Sequence, residues 1–379
     1  MTVVVSSATT AALSHGKRID TVNRYDIDTL IIGQGLAGSL LAWELAHRNE
    51  RILVIDDEHA SASSTAAAGL INPVTGQRLV KTVGVDQYLP VARKQYRALE
   101  DILGRELLFD IPMWRLLRNE KEREVWQKRK QDPEYDDYLG EWLQSEQLQP
   151  PFIAPLGGFE QHLTGYLDTN GLLEGMRDYL LETGRYRPQH LDYEMIELVD
   201  EAIRFDGITC GRVIFCEGYK AMHNPWFDWL PFTPAKGEIL SLRFEQPLPK
   251  VMINAGRWLM PRANGEYRLG ATYEHEQLDE VITPEAKQTL LDALPGILVE
   301  PAPYKVIAHQ AGVRPATTDR QPFIGLHPEW PQLGIFNGFG SKGSLLIPWH
   351  AETFADALLC DCALPIECDI RRHLQSYRG

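Results

Sequence analysis

The sequence predicts a mixed α/β fold of two interleaved parts, a parallel nucleotide-binding unit and an antiparallel sheet. Three observations predict it. Residues 29–56, TLIIGQGLAGSLLAWELAHRNERILVID, read as strand, glycine turn, helix and second strand. Between residues 231 and 303, strand-like pieces alternate with turns such as Asn264-Gly265. The chain then closes on another strand, glycine turn and helix, LGIFNGFGSKGSLLIPWHAETFADALL.

In the first stretch the apolar run Leu30, Ile31, Ile32 enters Gly33-x-Gly35-x-x-Gly38. Leu36, Leu40, Leu41 and Leu45 share roughly one face of the following helix. A buried strand over 52–55 ends at Asp56. Each part has a role in dinucleotide binding. Gly33 allows the tight turn, Gly35 lets backbone N–H groups approach a pyrophosphate, and Gly38 lets helix and strand pack closely. The helix N-terminus, at Leu36 and Ala37, favours phosphate charge. Asp56 can accept hydrogen bonds from a ribose diol, with Asp57 beside it as a second candidate. The unit is Rossmann-like.

A chain of 379 residues is long enough for two domains with cores of their own. Its 44% hydrophobic and 24% charged content is ordinary for a globular protein. The formal net charge of −14 weighs against a general nucleic-acid scaffold. The five cysteines, Cys210, Cys216, Cys360, Cys362 and Cys368, form no CxxC pair; Cys360-x-Cys362 is a candidate metal or redox element, but the favoured reading is reduced thiols. No apolar run approaches the roughly 20 residues of a membrane helix. Residues 1–24 lack a secretory pattern and read as a mostly polar extension, expected to be disordered. Together these give a cytoplasmic expectation, with no metal site.

After Asp56, small residues dominate positions 60–69, which suits close backbone passage past a planar ligand. Residues 86–148 read as helical and strongly charged. Tyr88, Ala92, Tyr96 and Leu99 recur at helical spacing as core, and the run 119–130 reads as a solvated face. Pro150, Pro151, Pro155, Gly157 and Gly158 mark a break. The stretch LLEGMRDYLLETG reads as a helix stopped by Gly184. Short strands follow near 195–198 and 202–205. The strand over 211–216 runs into a turn at Gly218, a second nucleotide contact. Strands over 238–244, 251–253, 258–261 and 267–271, with a helix over 284–294, form the antiparallel part. The expected division assigns 25–85, 150–228 and 306–379 to the nucleotide-binding domain, and 86–149 and 229–305 to a substrate domain.

Four stretches in this order resemble the FAD-dependent D-amino-acid oxidase superfamily, of glycine oxidase and sarcosine oxidase type. They are Gly33–Gly38 with Asp56; SSTAAAGLI at 63–71; GVRPATTDRQPFIG at 312–325; and NGFGSKG at 337–343. The resemblance covers nearly the whole chain from about residue 26 to 370. It implies an FAD-binding domain interleaved with an antiparallel-sheet substrate domain, and non-covalent FAD, since no cysteine lies in either flavin-facing turn. It implies oxidation of the C–N bond of an amino acid or secondary amine to an imine, with electrons passing to O₂ or another partner.

The resemblance also implies site residues. Arg314 is similar to the family's carboxylate-binding arginine, and a guanidinium fork matches a carboxylate bidentately. Ser63, Ser64 and Thr65 become phosphate or ribityl contacts, with Ala68, Gly69 and Leu70 beside the flavin. Backbone N–H groups of Gly338, Phe339, Gly340, Ser341, Lys342 and Gly343 are expected near the flavin O2 side, where positive partial charge stabilises the reduced cofactor. Lys342 adds a candidate full charge. His309, Tyr273 and Trp258 are candidate pocket walls. No general base is nominated, and hydride transfer from a neutral amine requires none. One departure matters: glycine oxidases carry a second arginine in the terminal turn, where this chain has Ser341-Lys342. That turn is also similar to the FAD domain of bifunctional tRNA wobble-uridine modification enzymes. Removal of a carboxymethyl group from a modified tRNA uridine is therefore an alternative, and a non-catalytic flavin-binding subunit a further one.

Overall fold

The computed structural model describes residues 25–58, 62–148, 151–299, 303–360 and 362–377. The extension expected over 1–24, and part of the small-residue segment at 59–61, lie outside them.

The first sheet grows from the strand–turn–helix–strand unit. Ile27–Ile32 lies parallel to Ile52–Asp56, placing Leu30 opposite Leu53 and Ile32 opposite Ile55. Ile208–Phe215 joins the other edge in parallel, and Tyr186–Pro188 and Leu333–Asn337 extend the parallel run on either side. Ile196–Val199, Ala202–Phe205 and Phe323–Leu326 complete it with antiparallel pairings.

Side chains alternate across the sheet with a period of two, so each strand feeds two cores. Ile31, Val54 and Ile214 pack under the helices Leu36–His47, Thr169–Glu182 and Gly343–Cys360. Leu30, Ile32, Leu53 and Phe215 pack on the opposite side with Phe227 and Phe323. Coverage on both faces is what a parallel sheet needs, and it explains why these strands are apolar at nearly every position.

The second sheet runs in the order Tyr304–Arg314, Ala235–Phe244, Tyr267–Gly270, Trp258–Pro261, Met252–Asn254, Met113–Leu116, Gly158–Gln161, Leu139–Leu143. It is antiparallel except where Met252–Asn254 meets Met113–Leu116. The helix Pro284–Leu291 covers one face, where Leu240, Leu242, Leu259 and Leu269 meet Leu290. On the other face Ile239, Met252 and Met260 pack with Tyr166 and Ala68.

Two expectations are corrected. Residues 86–148 are not helical throughout. Helices occupy Val85–Leu103 and Glu120–Lys130, but Leu108–Asp110, Met113–Leu116 and Leu139–Leu143 are strands. Their conformation comes from distant partners and not from local pattern: Leu108–Asp110 pairs with Gly165–Leu167, and the other two pair with Met252–Asn254 and Gly158–Gln161. The strand expected at 195–198 is Ile196–Val199, because Met195 closes a short 3₁₀ turn.

The two sheets are threaded through one another. Val85–Leu103 stands in the stretch that the sequence assigns to the substrate part, yet Ala92, Tyr96 and Leu99 pack into the helical core of the first sheet. The Tyr96 hydroxyl donates to Ser344 O at 2.8 Å. Conversely, Gly158–Gln161 falls in the expected nucleotide part and is a strand of the second sheet.

Candidate active site

A cavity of about 850 Å³ is lined from both sheets. At one end stands the first glycine turn. Gly33 has φ +97°, and a Cβ there would meet Cys216 O at 2.7 Å. A Cβ on Gly38 would lie 1.9 Å from Gly33 O, so the helix rests directly on the turn. Gly33, Gly35, Leu36 and Ala37 line the cavity, whereas Gly38 is spent on that packing. The helix carries no acidic residue in its first turn and no side-chain cap from Gly35. Its positive end thus faces the cavity.

Asp56 lines the same end and is 8% exposed. Its carboxylate accepts from the Gln34 backbone N–H at 2.9 Å, which fixes it beside the turn, and Arg177 approaches at 3.8 Å. Asp57 also lines the cavity, with Lys220 at 3.5 Å. The turn after Ile208–Phe215 brings Glu217 and Gly218 to the wall.

The short helix Ser63–Ala66 forms a second wall. Ser63 and Ser64 line it, and the Ser64 hydroxyl accepts from Leu36 N–H at 3.1 Å. Thr65, expected as a ligand contact, instead donates its hydroxyl to Ala62 O at 2.7 Å and is not part of the lining. Ala68, Gly69 and Leu70 continue the wall.

Phe339, Gly340, Ser341, Lys342 and Gly343 form a third wall. Gly338, expected with them, lies outside the lining and serves the turn beneath, at φ +84°. Asn337 ties this wall to the first sheet by donating to Gly218 O at 2.8 Å. Lys342 Nζ donates to Thr82 Oγ1 at 2.9 Å. Burial, and then Arg320, lowers its pKa below the usual lysine value.

The far end belongs to the second sheet. Arg314 ends its edge strand, opposite Ala235. Its guanidinium donates to Thr272 O and to Lys236 O, each at 3.3 Å, and lies 4.2 Å from the Tyr273 ring centre. Among the described residues no carboxylate pairs with it, and burial lowers its pKa. Tyr273 and Trp258 line the cavity. His309 does not; its ring packs beside Glu238, with Nε2 2.7 Å from the carboxylate.

Sequence reasoning missed four features here. Gly237 faces Gly312 across the strands and makes room for Arg314. Arg115, Arg118 and Arg257 line the cavity as well. A glycine inside a strand pattern is a legible sign of close approach; the three arginines carry no local sign. Cys216 also borders the cavity, but full burial pushes its thiol pKa well above the usual value, so it is a poor nucleophile.

The model of the DAO family, FAD dependent oxidoreductase, matches residues 28–357. The chain belongs to this family. The DAO-family chain is 24% identical to a glycine oxidase of Pseudomonas aeruginosa, over 87% of this chain and 94% of that one. It is 26% identical to the bifunctional ThiO/ThiG protein of Synechocystis, over 89% of this chain and 52% of that longer one. The crystal structure of glycine oxidase from Geobacillus kaustophilus superposes with a TM-score of 0.76 at 20% identity, covering 94% of this chain and all of that one.

The DAO-family protein is an FAD-dependent oxidoreductase, and its cavity suits that cofactor. The glycine turn packed without side chains, the helix N-terminus free of acids and the Asp56 carboxylate stand together at one end of the cavity, a set of groups that fits a dinucleotide.

Proposed function

We propose that the protein oxidises the C–N bond of an amino acid or secondary amine that carries a carboxylate, giving an imine that water then hydrolyses. One observation carries this reading. Arg314 is a half-buried guanidinium at the far end of the cavity that donates to backbone carbonyls and, among the described residues, pairs with no carboxylate. A guanidinium held partly out of water without a counter-charge is costly, and a carboxylate supplies that charge together with a bidentate geometry.

FAD supplies the oxidising power, accepting hydride from the carbon next to nitrogen and passing electrons to O₂ or another acceptor. The chain supplies position. Arg314 fixes the carboxylate and so sets which C–H faces the cofactor. The Tyr273 ring stacks on its guanidinium, and Trp258 adds an apolar wall to the cavity. Lys342 and the backbone around Phe339–Gly343 line the cavity, where their positive charge would stabilise the reduced cofactor.

The test is an anaerobic titration of the purified holoenzyme, followed by its visible spectrum. The panel holds glycine, N-methylglycine, D- and L-amino acids, simple amines without a carboxylate, and carboxymethylamino nucleosides. Bleaching by a carboxylate-bearing amine is expected. Arg314→Met should weaken such substrates by about thirtyfold or more and leave uncharged amines nearly unaffected. Equal losses for both classes would remove the carboxylate role.

A further inference from the structure

The substrate end holds more positive charge than one carboxylate uses. Besides Arg314, the guanidinium-bearing residues Arg115, Arg118 and Arg257 line it. All three gather round a single turn. Arg257 lies between the strands Met252–Asn254 and Trp258–Pro261. Arg115 is the register partner of Asn254 on the neighbouring strand. The Arg118 guanidinium lies over Gly256, where a Cβ would stand 2.5 Å from its nitrogen.

The cluster adjoins the Arg314 site. Arg257 donates to Ala271 O at 2.8 Å, and Arg314 donates to the next carbonyl, Thr272 O. Consecutive residues are about 3.8 Å apart, so two guanidinium groups are anchored on one short piece of backbone. Arg115 is 7% exposed and donates to Gly76 O at 2.6 Å. Burial brings its pKa down to about 10, still fully charged near neutral pH.

The compensation is incomplete. Among the described residues, Glu122 is the carboxylate that pairs with the cluster, through Arg118. The acidic residues of the lining, Asp56, Asp57 and Glu217, belong to the glycine turns and strand ends of the first sheet. A chain of net charge −14 thus gathers four guanidinium groups at one end of one cavity, with Glu122 on Arg118 as the one carboxylate paired among them in the described residues. Fixed guanidinium forks in such a setting recognise oxyanions.

We propose that the substrate is doubly anionic: an amine whose first carboxylate takes Arg314 and whose nitrogen substituent ends in a second carboxylate or phosphate, held by Arg115, Arg118 and Arg257. This rests on the carboxylate reading of Arg314. It narrows the substrate class to N-substituted amino acids with an acidic arm, and it makes glycine and N-methylglycine poor substrates.

Ether analogues test it without turnover, because an ether oxygen in place of nitrogen blocks imine formation. Methoxyacetate, oxydiacetate, (2-carboxyethoxy)acetate and (phosphonomethoxy)acetate are titrated into the holoenzyme by calorimetry and by the shift of the flavin bands. At least one dianion should bind about tenfold or more tightly than methoxyacetate. Arg115→Met and Arg257→Gln should each shrink that ratio about fivefold or more, while Arg314→Met weakens both ligand classes. The tighter of the carboxylate and phosphonate arms names the second group. Flavin content and thermal midpoint are read for every variant, and half-buried Arg257 carries the test if the Arg115 variant does not fold. A ratio near one in the wild type, or a ratio that survives both substitutions, overturns the second subsite and leaves the Arg314 reading intact. Methoxyacetate binding that is indifferent to Arg314→Met overturns that reading and this proposal with it.

Discussion

Arg314 owes its position to a residue that is not there. Its guanidinium fills the space beside Gly237, where a Cβ would lie 1.8 Å from a terminal nitrogen. Gly237→Ala should therefore push the guanidinium off its carbonyl partners. The expected result is a loss of carboxylate affinity of about thirtyfold, roughly 2 kcal/mol, measured by titration of the holoenzyme. Retention of wild-type affinity would mean that Arg314 is not held by that gap. Arg314 itself was legible, because it stands inside a long motif. Gly237 was not: its meaning depends on pairing with Gly312, far along the chain. Arg115 was equally opaque, since MWRLLR has no pattern that points an arginine into a cavity.

Two helices carry predictions of their own. The helix Leu36–His47 approaches the first glycine turn so closely that Gly38→Ala forces a Cβ into Gly33 O. The helix must tilt away, taking its N–H groups with it. FAD affinity should fall about tenfold or more, read by flavin retention on dilution. The second helix, Gly343–Cys360, buries His350 at 3% exposure among Tyr88, Phe339 and Trp349. Burial lowers its pKa from 6.5 to about 4. Between those values the unfolded chain binds the proton and the folded chain does not. Stability is therefore complete above about pH 6.5 and falls as pH drops toward about 4, by up to about 3 kcal/mol from this group. The difference in unfolding free energy between wild type and His350→Phe, measured at pH 7 and 4.5, should shrink or reverse at the lower pH. A pH-independent difference would reject the assignment. Both helices were legible from apolar spacing and their glycine turns. The strands Met113–Leu116 and Leu139–Leu143 were not, because they are short, lie among charged helical segments and are fixed by partners elsewhere in the chain.

At the scale of the molecule, one cavity is walled by both sheets, so its contents join them. A ligand that binds only the folded state stabilises it in proportion to its concentration. FAD at a hundred times its dissociation constant should add about 2.7 kcal/mol. Thermal unfolding with and without added FAD checks this; a midpoint indifferent to FAD would mean that the cofactor does not bridge the two parts. The sequence made both sheets legible separately. It did not show that Val85–Leu103 packs under the first sheet while Gly158–Gln161 joins the second, since such threading is decided by packing across the whole chain. The shared cavity also has a consequence for the living cell. Newly made chains that find no FAD lack the filling between their two parts and open more often. Proteases act on opened chains. When flavin is scarce, the protein's half-life should shorten with no change in its messenger, so that its abundance follows vitamin supply.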